Sequence, residues 1–151
     1  MHPVYDHLVL SENQSGRLFS KTAFAQLDEV LSEVRGKASF ADEIDRYLLS
    51  RLSGGYRTFL VIDGQATQPD LEAKRYRTAV LDSGGLGVQL LGIGVNGHVG
   101  FNEPGCHPDS QCRVTALAES TLERNKYHSG TRAITLGIAE IMSAQRIIMV
   151  A

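Results

Sequence analysis

The chain has 151 residues, of which 42% are apolar and 21% are charged, and its formal net charge is −2. This balance is typical of one globular domain and argues against a polybasic surface for nucleic acid or membrane lipid. No apolar run approaches the roughly 18 residues of a membrane helix, and the first ten residues lack the features of a signal peptide. With only two cysteines, Cys106 and Cys112, reduced thiols are expected. We therefore predict a cytoplasmic protein with no nucleic-acid or membrane partner.

The first half of the chain predicts alternating helices and strands. Ser39 resembles an N-cap because acidic residues follow it in the next turn, and Gly16 and Gly54-Gly55 interrupt the helices that precede them. The predicted elements are a helix at 3–14, a strand at 22–27, a helix from Ser39 with an apolar face of Ile44, Leu48, Leu49 and Leu52, and a strand at 58–62.

The second half continues this alternation. A helix at 69–81 should direct Leu71, Tyr76 and Val80 inward, and apolar runs predict buried strands at 88–93 and 146–150. Residues 113–117 favour a further strand, and 133–142 carry both strand and helix signals. The pattern predicts one domain over residues 1–151 of class α/β, doubly wound around a mostly parallel sheet.

A glycine-rich segment follows the strand predicted at 88–93, where residues 91–105 read LGIGVNGHVGFNEPG. Gly94 and Gly97 permit backbone conformations that other residues avoid and let a ligand approach the main chain. Both are therefore candidate substrate-binding residues. The spacing GIGVNG also fits the G-x-G-x-x-G of dinucleotide-binding loops. Such a loop should open a helix, whereas Pro104-Gly105 interrupts any helix here, so we discount a dinucleotide site.

Three polar side chains of this segment indicate proton chemistry. The histidine side chain, here His98, can move protons in either direction. Asn96 and Glu103 could orient its ring and fix its tautomer. An oriented imidazole at the carboxyl end of a parallel strand is typical of a general acid/base site. An ordinary surface histidine on a tight turn is the simpler alternative.

Asp28 and Glu29 form a second candidate site, directly after the strand predicted at 22–27. Acidic residues at such a position are often no more than the solvated start of a loop. If this strand and the strand before His98 are parallel neighbours, their carboxyl ends open onto the same crevice. One carboxylate could then take a proton from carbon while His98 acts on an oxygen.

Together these segments resemble a known family. LGIGVNGHVGFNEPG closely resembles the signature of glucosamine-6-phosphate deaminases, and LDEV at 27–30 resembles the shorter acidic motif of the same family. The resemblance runs from about residue 4 to residue 150. It implies the Rossmann-like fold of the sugar-phosphate isomerase/deaminase superfamily. It also implies conversion of glucosamine 6-phosphate and water to fructose 6-phosphate and ammonia, with no metal and no organic cofactor.

The resemblance also implies a role for each matching residue. Asp28 would be the base that moves a proton between C2 and C1 of the open-chain sugar, with Glu29 beside it in the substrate site. His98 would open the pyranose ring, and Glu103 and Asn96 would orient it. Many family members have aspartate where Asn96 stands. An amide can orient an imidazole but cannot stabilise its cation by charge.

Two segments that bind the substrate phosphate in this family would lie outside this sequence. A Gly-rich Ser/Thr loop would precede His2, and a lysine would follow Val150. A further basic ligand of the phosphate would be Arg124 or Lys126, and this choice stays open. We therefore expect a fold that is incomplete at both ends and, because phosphate binding positions the reacting carbons, weak deaminase activity of this polypeptide alone. An unpaired sheet edge would favour a homo-oligomer.

Three alternatives remain. A 6-phosphogluconolactonase has a related glycine-rich core around the histidine but lacks the Phe-Asn-Glu-Pro run at 101–104. A galactosamine-6-phosphate deaminase would use the same proton chemistry on another epimer. A non-catalytic protein that binds sugar phosphates would fit the absence of the phosphate loop, although Asp28, His98 and Glu103 argue against it.

Overall fold

The computed structural model describes residues 2–32 and 39–150, which form alternating helices and strands. In chain order these are α1 (His2–Ser15), β1 (Ala23–Ala25), β2 (Asp28–Val30), α2 (Phe40–Tyr47), a 3-10 turn (Leu49–Arg51), β3 (Thr58–Leu60), α3 (Pro69–Asp82), β4 (Val88–Gly92), β5 (Arg113–Ala116), α4 (Glu119–Asn125), β6 (Arg132–Thr135), α5 (Ile138–Met142) and β7 (Arg146–Val150). The predicted α/β alternation is confirmed. Helix α4 was not predicted, and the segment 133–142 contains both a strand and a helix.

The strands form three small groups among the described residues. Strand β1 pairs in parallel with β3, and β4 pairs in parallel with β7. Strands β2, β6 and β5 form an antiparallel sheet in that order. Two of the four pairings are thus antiparallel, a larger share than the alternation of strands and helices predicts. The predicted strand at 22–27 also ends early, because Asp28 begins a strand that joins a different sheet.

The core lies between helix α3 and the strands. The central cluster contains Tyr76 and Val80 of α3, as predicted, packed with Leu91 of β4 and Ile134 of β6. The Tyr76 hydroxyl donates to the carbonyl oxygen of Gln26 at 2.5 Å, which satisfies its polar end inside this cluster. A second cluster contains the predicted apolar face of α2 and the 3-10 turn together with α1.

The helix boundaries follow local sequence signals. The Ser39 hydroxyl accepts from the Asp42 backbone N–H, and the Asp42 carboxylate accepts from the Ser39 backbone N–H, which makes a reciprocal capping box at the start of α2. Gly84 and Gly85 follow α3 with φ of 106° and 73°, so they end that helix. Within the described ranges, no helix is long and apolar enough to cross a membrane.

Three burial predictions are wrong. Leu71 is 55% exposed, because α3 turns Glu72, Ala73, Tyr76 and Val80 inward instead. Strand β4 was expected to be buried throughout, but Val88 is 61% exposed. Strand β7 was also expected to be buried, yet its residues are exposed or partly exposed. In the described part of the chain, β7 has one strand neighbour, β4, and its apolar side chains remain largely uncovered.

Candidate active site

The glycine-rich segment forms a compact loop directly after β4. Gly97 has φ of 87°, and its N–H donates to the Gly94 carbonyl at 3.0 Å. The Gly94 N–H in turn donates to the His98 carbonyl at 2.8 Å. No helix begins at this point, which agrees with our rejection of a dinucleotide loop. A positive φ is costly for other residues, so Gly97 has the conformational role that the sequence predicted for it.

Gly94 has a steric role that the sequence analysis did not foresee, and its contact with substrate stays a prediction. Its φ lies outside the left-handed region. A Cβ atom built on it would instead overlap the His98 imidazole, with Nε2 as the nearest atom. Gly94 therefore provides the space in which the ring lies.

The far end of the loop is anchored through Asn102, whose side chain is 4% exposed. Its Nδ2 donates to the carbonyl oxygens of Val99, at 3.0 Å, and Leu136, at 2.8 Å. Its Oδ1 accepts from Arg113 at 2.9 Å. The bond to Val99 closes the loop on itself, and the bonds to Arg113 and Leu136 fix it to β5 and to the end of β6. The residues on either side of Asn102 therefore have defined positions.

His98 lies in a network of hydrogen-bonding side chains, as predicted. Its Nδ1 is 2.7 Å from Asn96 Oδ1 and 3.2 Å from Glu103 Oε2. Asn96 also donates from Nδ2 to Glu103 Oε2 at 2.8 Å. The side chains of His98 and Glu103 are only 15% and 14% exposed. Since Nδ1 carries these contacts, Nε2 is the nitrogen left to exchange a proton with a substrate.

Glu103 is held as a carboxylate. Burial would raise its pKa, but hydrogen bonds from Thr121, Asn96 and the Ala118 backbone N–H outweigh burial, and the facing imidazole adds to them, so the pKa lies below its usual range. The negative charge that Asn96 does not supply is therefore provided by Glu103. This arrangement supports an imidazole that gains and loses a proton at Nε2.

The Asp28 carboxylate lies close to the glycine-rich loop, but the strand arrangement that brings it there differs from the predicted one. Strands β1 and β4 are not hydrogen-bonded neighbours, so the crevice between parallel strands that we predicted is not how the two segments meet. Asp28 instead begins β2, opposite Thr135 of β6. Gly100 passes close to both, because a Cβ atom added there would lie 2.8 Å from Thr135 Oγ1 and 3.2 Å from Asp28 Oδ2.

The surroundings of Asp28 change its acidity. Burial, helped by the neighbouring charge of Glu29, raises the pKa of Asp28 to about 7. Among the described residues, no hydrogen-bond donor contacts its carboxylate to offset this effect. A carboxyl group with a pKa near neutrality can both accept and return a proton at physiological pH. The carboxylate lies against Gly100, two residues after His98.

Comparison with known proteins places this site in context. No family model matches the chain. A glucosamine-6-phosphate deaminase of Shouchella clausii is 33% identical over 152 residues, and one of Bacillus pumilus is 35% identical over the same length. This chain is thus similar to glucosamine-6-phosphate deaminases over nearly all of its length. Each alignment covers 96% of this chain and 62% of the relative, so the chain spans less than two thirds of the length of the deaminases it matches.

Solved structures agree with this relationship. A monomeric glucosamine-6-phosphate deaminase superposes with a TM-score of 0.82 at 28% identity, over 98% of this chain and 64% of that one. A 6-phosphogluconolactonase of Thermotoga maritima gives a TM-score of 0.69 at 16% identity, over 98% and 63% of the two chains. The lactonase similarity concerns the fold alone. Together these structures confirm the predicted Rossmann-like α/β fold.

Glu29, predicted in the substrate site, is engaged inside the protein and 4% exposed. Its Oε2 accepts from Gln26 Nε2 and from the Phe40 backbone N–H, each at 2.9 Å, and its Oε1 accepts from the Val30 N–H at 3.1 Å. It thereby connects β2 to the start of α2. Its charge acts on Asp28, so Glu29 influences the candidate site through Asp28.

The two candidate phosphate ligands, Arg124 and Lys126, lie at the end of α4. Both are exposed, and Lys126 ends the helix with φ of 56°. No hydrogen bond or ion pair among the described residues joins either cation to His98. The structure leaves the choice between them open, and their role in binding phosphate stays a prediction.

Helix α4 contributes two hydroxyl groups that the sequence analysis missed. Thr121 Oγ1 donates to Glu103 Oε1 at 2.7 Å, and Ser120 Oγ accepts from Asn96 at 3.0 Å. These residues lie well beyond the loop in the sequence, and nothing in their local pattern distinguishes them from solvent-facing hydroxyls. Their contribution is therefore visible only in the tertiary structure.

Two cavities lie elsewhere on the surface. One of about 500 Å³ is lined by residues that include Glu29, Phe40 and Tyr127, and one of about 800 Å³ by residues that include Lys126 and Arg132. Neither lining includes Asp28 or His98. Both include Ser32, which borders the residues outside the described ranges, so we assign no ligand to them.

Proposed function

We propose that this chain carries the proton-transfer site of a glucosamine-6-phosphate deaminase. The observation that carries the proposal is a carboxyl group with a pKa near 7, Asp28, placed against the loop that holds an oriented imidazole, His98. Aldose–ketose isomerisation requires a base on carbon and an acid/base on oxygen. These two residues supply one group of each kind. The relatives with the same name support the assignment.

In the proposed reaction, His98 Nε2 assists opening of the pyranose ring by proton exchange with the ring oxygen. Glu103 and Asn96 hold the ring of His98 from the Nδ1 side. Asp28 then removes the proton from C2 and returns a proton to C1. This leaves an iminium group at C2. Water adds to C2 and gives a carbinolamine, which loses ammonia and leaves the C2 carbonyl of fructose 6-phosphate. No step requires a metal ion or an organic cofactor.

The alternatives predict different products. A 6-phosphogluconolactonase would hydrolyse a lactone, which needs an activated water but no base on a sugar carbon. A galactosamine-6-phosphate deaminase would release ammonia from the other epimer. A non-catalytic protein would bind sugar phosphate without turnover. The position of Asp28 favours isomerisation with deamination, because lactone hydrolysis gives no use for a carbon base.

The test is a single-turnover experiment with the chain in excess over glucosamine 6-phosphate. Excess protein compensates for weak binding. We expect stoichiometric ammonia and fructose 6-phosphate, and neither product with Asp28→Asn or His98→Gln. The matched control is His107→Gln, because the side chain of His107 is 75% exposed and contacts none of the proposed site residues. Wild-type activity is expected from that variant.

Parallel incubations with galactosamine 6-phosphate and 6-phosphogluconolactone separate the alternatives. Ammonia from the galactosamine compound alone would change the assigned epimer, and acid release from the lactone without ammonia would refute the deaminase proposal. Binding of glucosamine 6-phosphate with no ammonia at any protein concentration would favour the non-catalytic alternative.

We expect slower multiple-turnover rates than for a full-length deaminase relative, because the chain spans 62% of such a relative and remote binding contacts contribute to the rate. Equal turnover numbers would contradict this expectation. The proposed partners are a hexosamine 6-phosphate and, at high concentration, a second copy of the chain. The exposed strand β7 supports such self-association, whereas the solved deaminase is described as monomeric.

A further inference from the structure

The first turn of α4 reaches the proposed site through Thr121. This residue is 1% exposed, so its hydroxyl is withdrawn from solvent. Its Oγ1 lies 2.7 Å from Glu103 Oε1 and 3.3 Å from His98 Nδ1. It therefore contacts both members of the histidine–carboxylate pair at once.

The single hydroxyl hydrogen of Thr121 can serve only one of these two neighbours. Glu103 is a carboxylate at neutral pH and can only accept hydrogen bonds. The shorter distance also belongs to Glu103. The hydrogen is therefore directed at Glu103, and the lone pairs of the Thr121 oxygen are left to face Nδ1 of His98.

The other neighbours of Nδ1 are acceptors as well. Asn96 uses its Nδ2 hydrogens on Glu103 and on the Ser120 hydroxyl, so its oxygen is the atom that faces Nδ1. Glu103 Oε2 also faces Nδ1 at 3.2 Å. An imidazole nitrogen surrounded by three acceptor oxygens must carry the hydrogen. His98 is thereby set with Nδ1 protonated, which leaves the lone pair of Nε2 as the proton acceptor of the ring.

We propose that Thr121 is a positioning residue for this site. Thr121 holds Glu103 in place and thereby selects the Nδ1–H tautomer of His98. This inference rests on the proposed function only in assigning proton transfer to Nε2. The four acceptor positions of the Glu103 carboxylate are filled by Thr121, the Ala118 N–H, Asn96 and His98. Loss of the Thr121 hydroxyl leaves Oε1 with one weaker donor at 3.2 Å.

The test compares three variants. Thr121→Val removes the hydroxyl and keeps the shape, whereas Thr121→Ser keeps the hydroxyl. Thr115→Val is the matched control, because the Thr115 hydroxyl contacts a backbone carbonyl, that of Ala116, at 3.3 Å. Circular dichroism confirms folding, and Thr121→Ala replaces Thr121→Val if the latter fails to fold.

Two spectroscopic measurements on the whole chain give the result. Long-range proton–nitrogen NMR of His98 above pH 8 should show the Nδ1–H tautomer in the wild type and in Thr121→Ser. Carbon-13 titration should show the Glu103 carboxyl pKa rising in Thr121→Val and unchanged in Thr121→Ser and Thr115→Val. An Nε2–H tautomer in the wild type, or an unchanged Glu103 titration in Thr121→Val, would overturn the proposal.

Activity gives an independent readout under single-turnover conditions. We expect Thr121→Val to lower the rate about tenfold, since it removes a hydrogen bond to a charged group, and Thr121→Ser to restore most of that rate. If the spectroscopic changes occur in a chain that releases no ammonia, the positioning inference stands and the deaminase proposal fails. If ammonia is released at a rate unaffected by Thr121→Val, the positioning inference fails and the deaminase proposal stands.

Discussion

Asp28 shows how a single residue acquires a property that its type does not predict. An ordinary aspartate is ionised far below neutral pH, but burial and the charge of Glu29 raise this pKa to about 7. A carboxyl group whose pKa is raised on folding favours the folded state only while it is protonated. The raised pKa therefore lowers the free energy of unfolding. This loss of stability is absent below about pH 4, grows between pH 4 and 7, and is constant above pH 7.

The first prediction concerns this loss of stability. Asp28→Asn should abolish ammonia release and yet raise the free energy of unfolding at pH 8. The gain should be on the order of 1–2 kcal/mol, less than the full pKa shift implies, because Asp28 is only partly buried from solvent. The gain should vanish below about pH 4. Urea denaturation at several pH values measures it, with the exposed Asp82→Asn as control. A destabilised Asp28→Asn protein at pH 8 would show that the carboxylate has stabilising partners.

Gly94 is the second residue whose role depends on a neighbour. Gly94→Ala should displace the His98 ring, because the added methyl group would occupy its space. A displacement of about 1 Å can lower a rate by about 100-fold, and we expect a single-turnover rate reduced by 10- to 100-fold. Gly87→Ala is the control, since a Cβ atom there meets no atom within 4 Å and its φ is not positive. Equal rates for the two variants would contradict this role of Gly94.

At the scale of elements, the loop after β4 owes its shape to strands far along the chain. Its glycines permit the turns, but Asn102 fixes it to β5 and to the end of β6 through two hydrogen bonds, with Arg113 and with the Leu136 carbonyl. The sequence places Asn102 in the motif and gives no hint of these partners. The same antiparallel sheet carries Asp28 on β2, so one sheet positions both the Asp28 carboxylate and the imidazole loop.

The third prediction tests this anchoring. Asn102→Ala should lower the free energy of unfolding by about 2–4 kcal/mol, because it removes three hydrogen bonds and leaves buried groups unpaired. Asn13→Ala is the control, since the exposed Asn13 accepts one hydrogen bond, from the Ser53 N–H at 3.2 Å, and should cost less than about 1 kcal/mol. Chemical denaturation measures both. Similar losses for the two variants would mean that the loop is not anchored through Asn102.

At the scale of the whole molecule, the apolar side chains of β7 remain uncovered. Ile148 is 46% and Met149 is 53% exposed, and Val88 of the neighbouring β4 is 61% exposed. Contiguous exposed apolar surface and unpaired strand edges favour association. The part of the chain that the structure describes contains no element that covers this surface.

The fourth prediction follows from that surface. The chain should self-associate as its concentration rises, and Ile148→Lys should reduce the association at least severalfold. Gln145→Lys adds the same charge at an exposed position just before the strand and should have little effect. Analytical ultracentrifugation over a range of concentrations distinguishes these outcomes. A wild-type chain that stays monomeric at all concentrations would contradict the prediction.

The sequence by itself determined much of the local structure. Capping and glycine signals placed the starts and ends of the helices, because these depend on hydrogen bonds within a few residues. The contact of His98 with Asn96 and Glu103 was also predictable, since the three residues lie within one eight-residue turn. The resemblance to deaminases depended on this same continuous segment and on LDEV at 27–30.

Only the tertiary structure decided how the distant parts combine. The antiparallel position of β2, the meeting of Asp28 with Gly100, the buried anchor made by Glu29 and the hydroxyl of Thr121 all join residues far apart in sequence. Burial likewise depends on which elements cover a strand, which is why β7 has a core-like sequence and an exposed surface. A raised pKa requires desolvation, so the acidity of Asp28 is a property of the packed molecule.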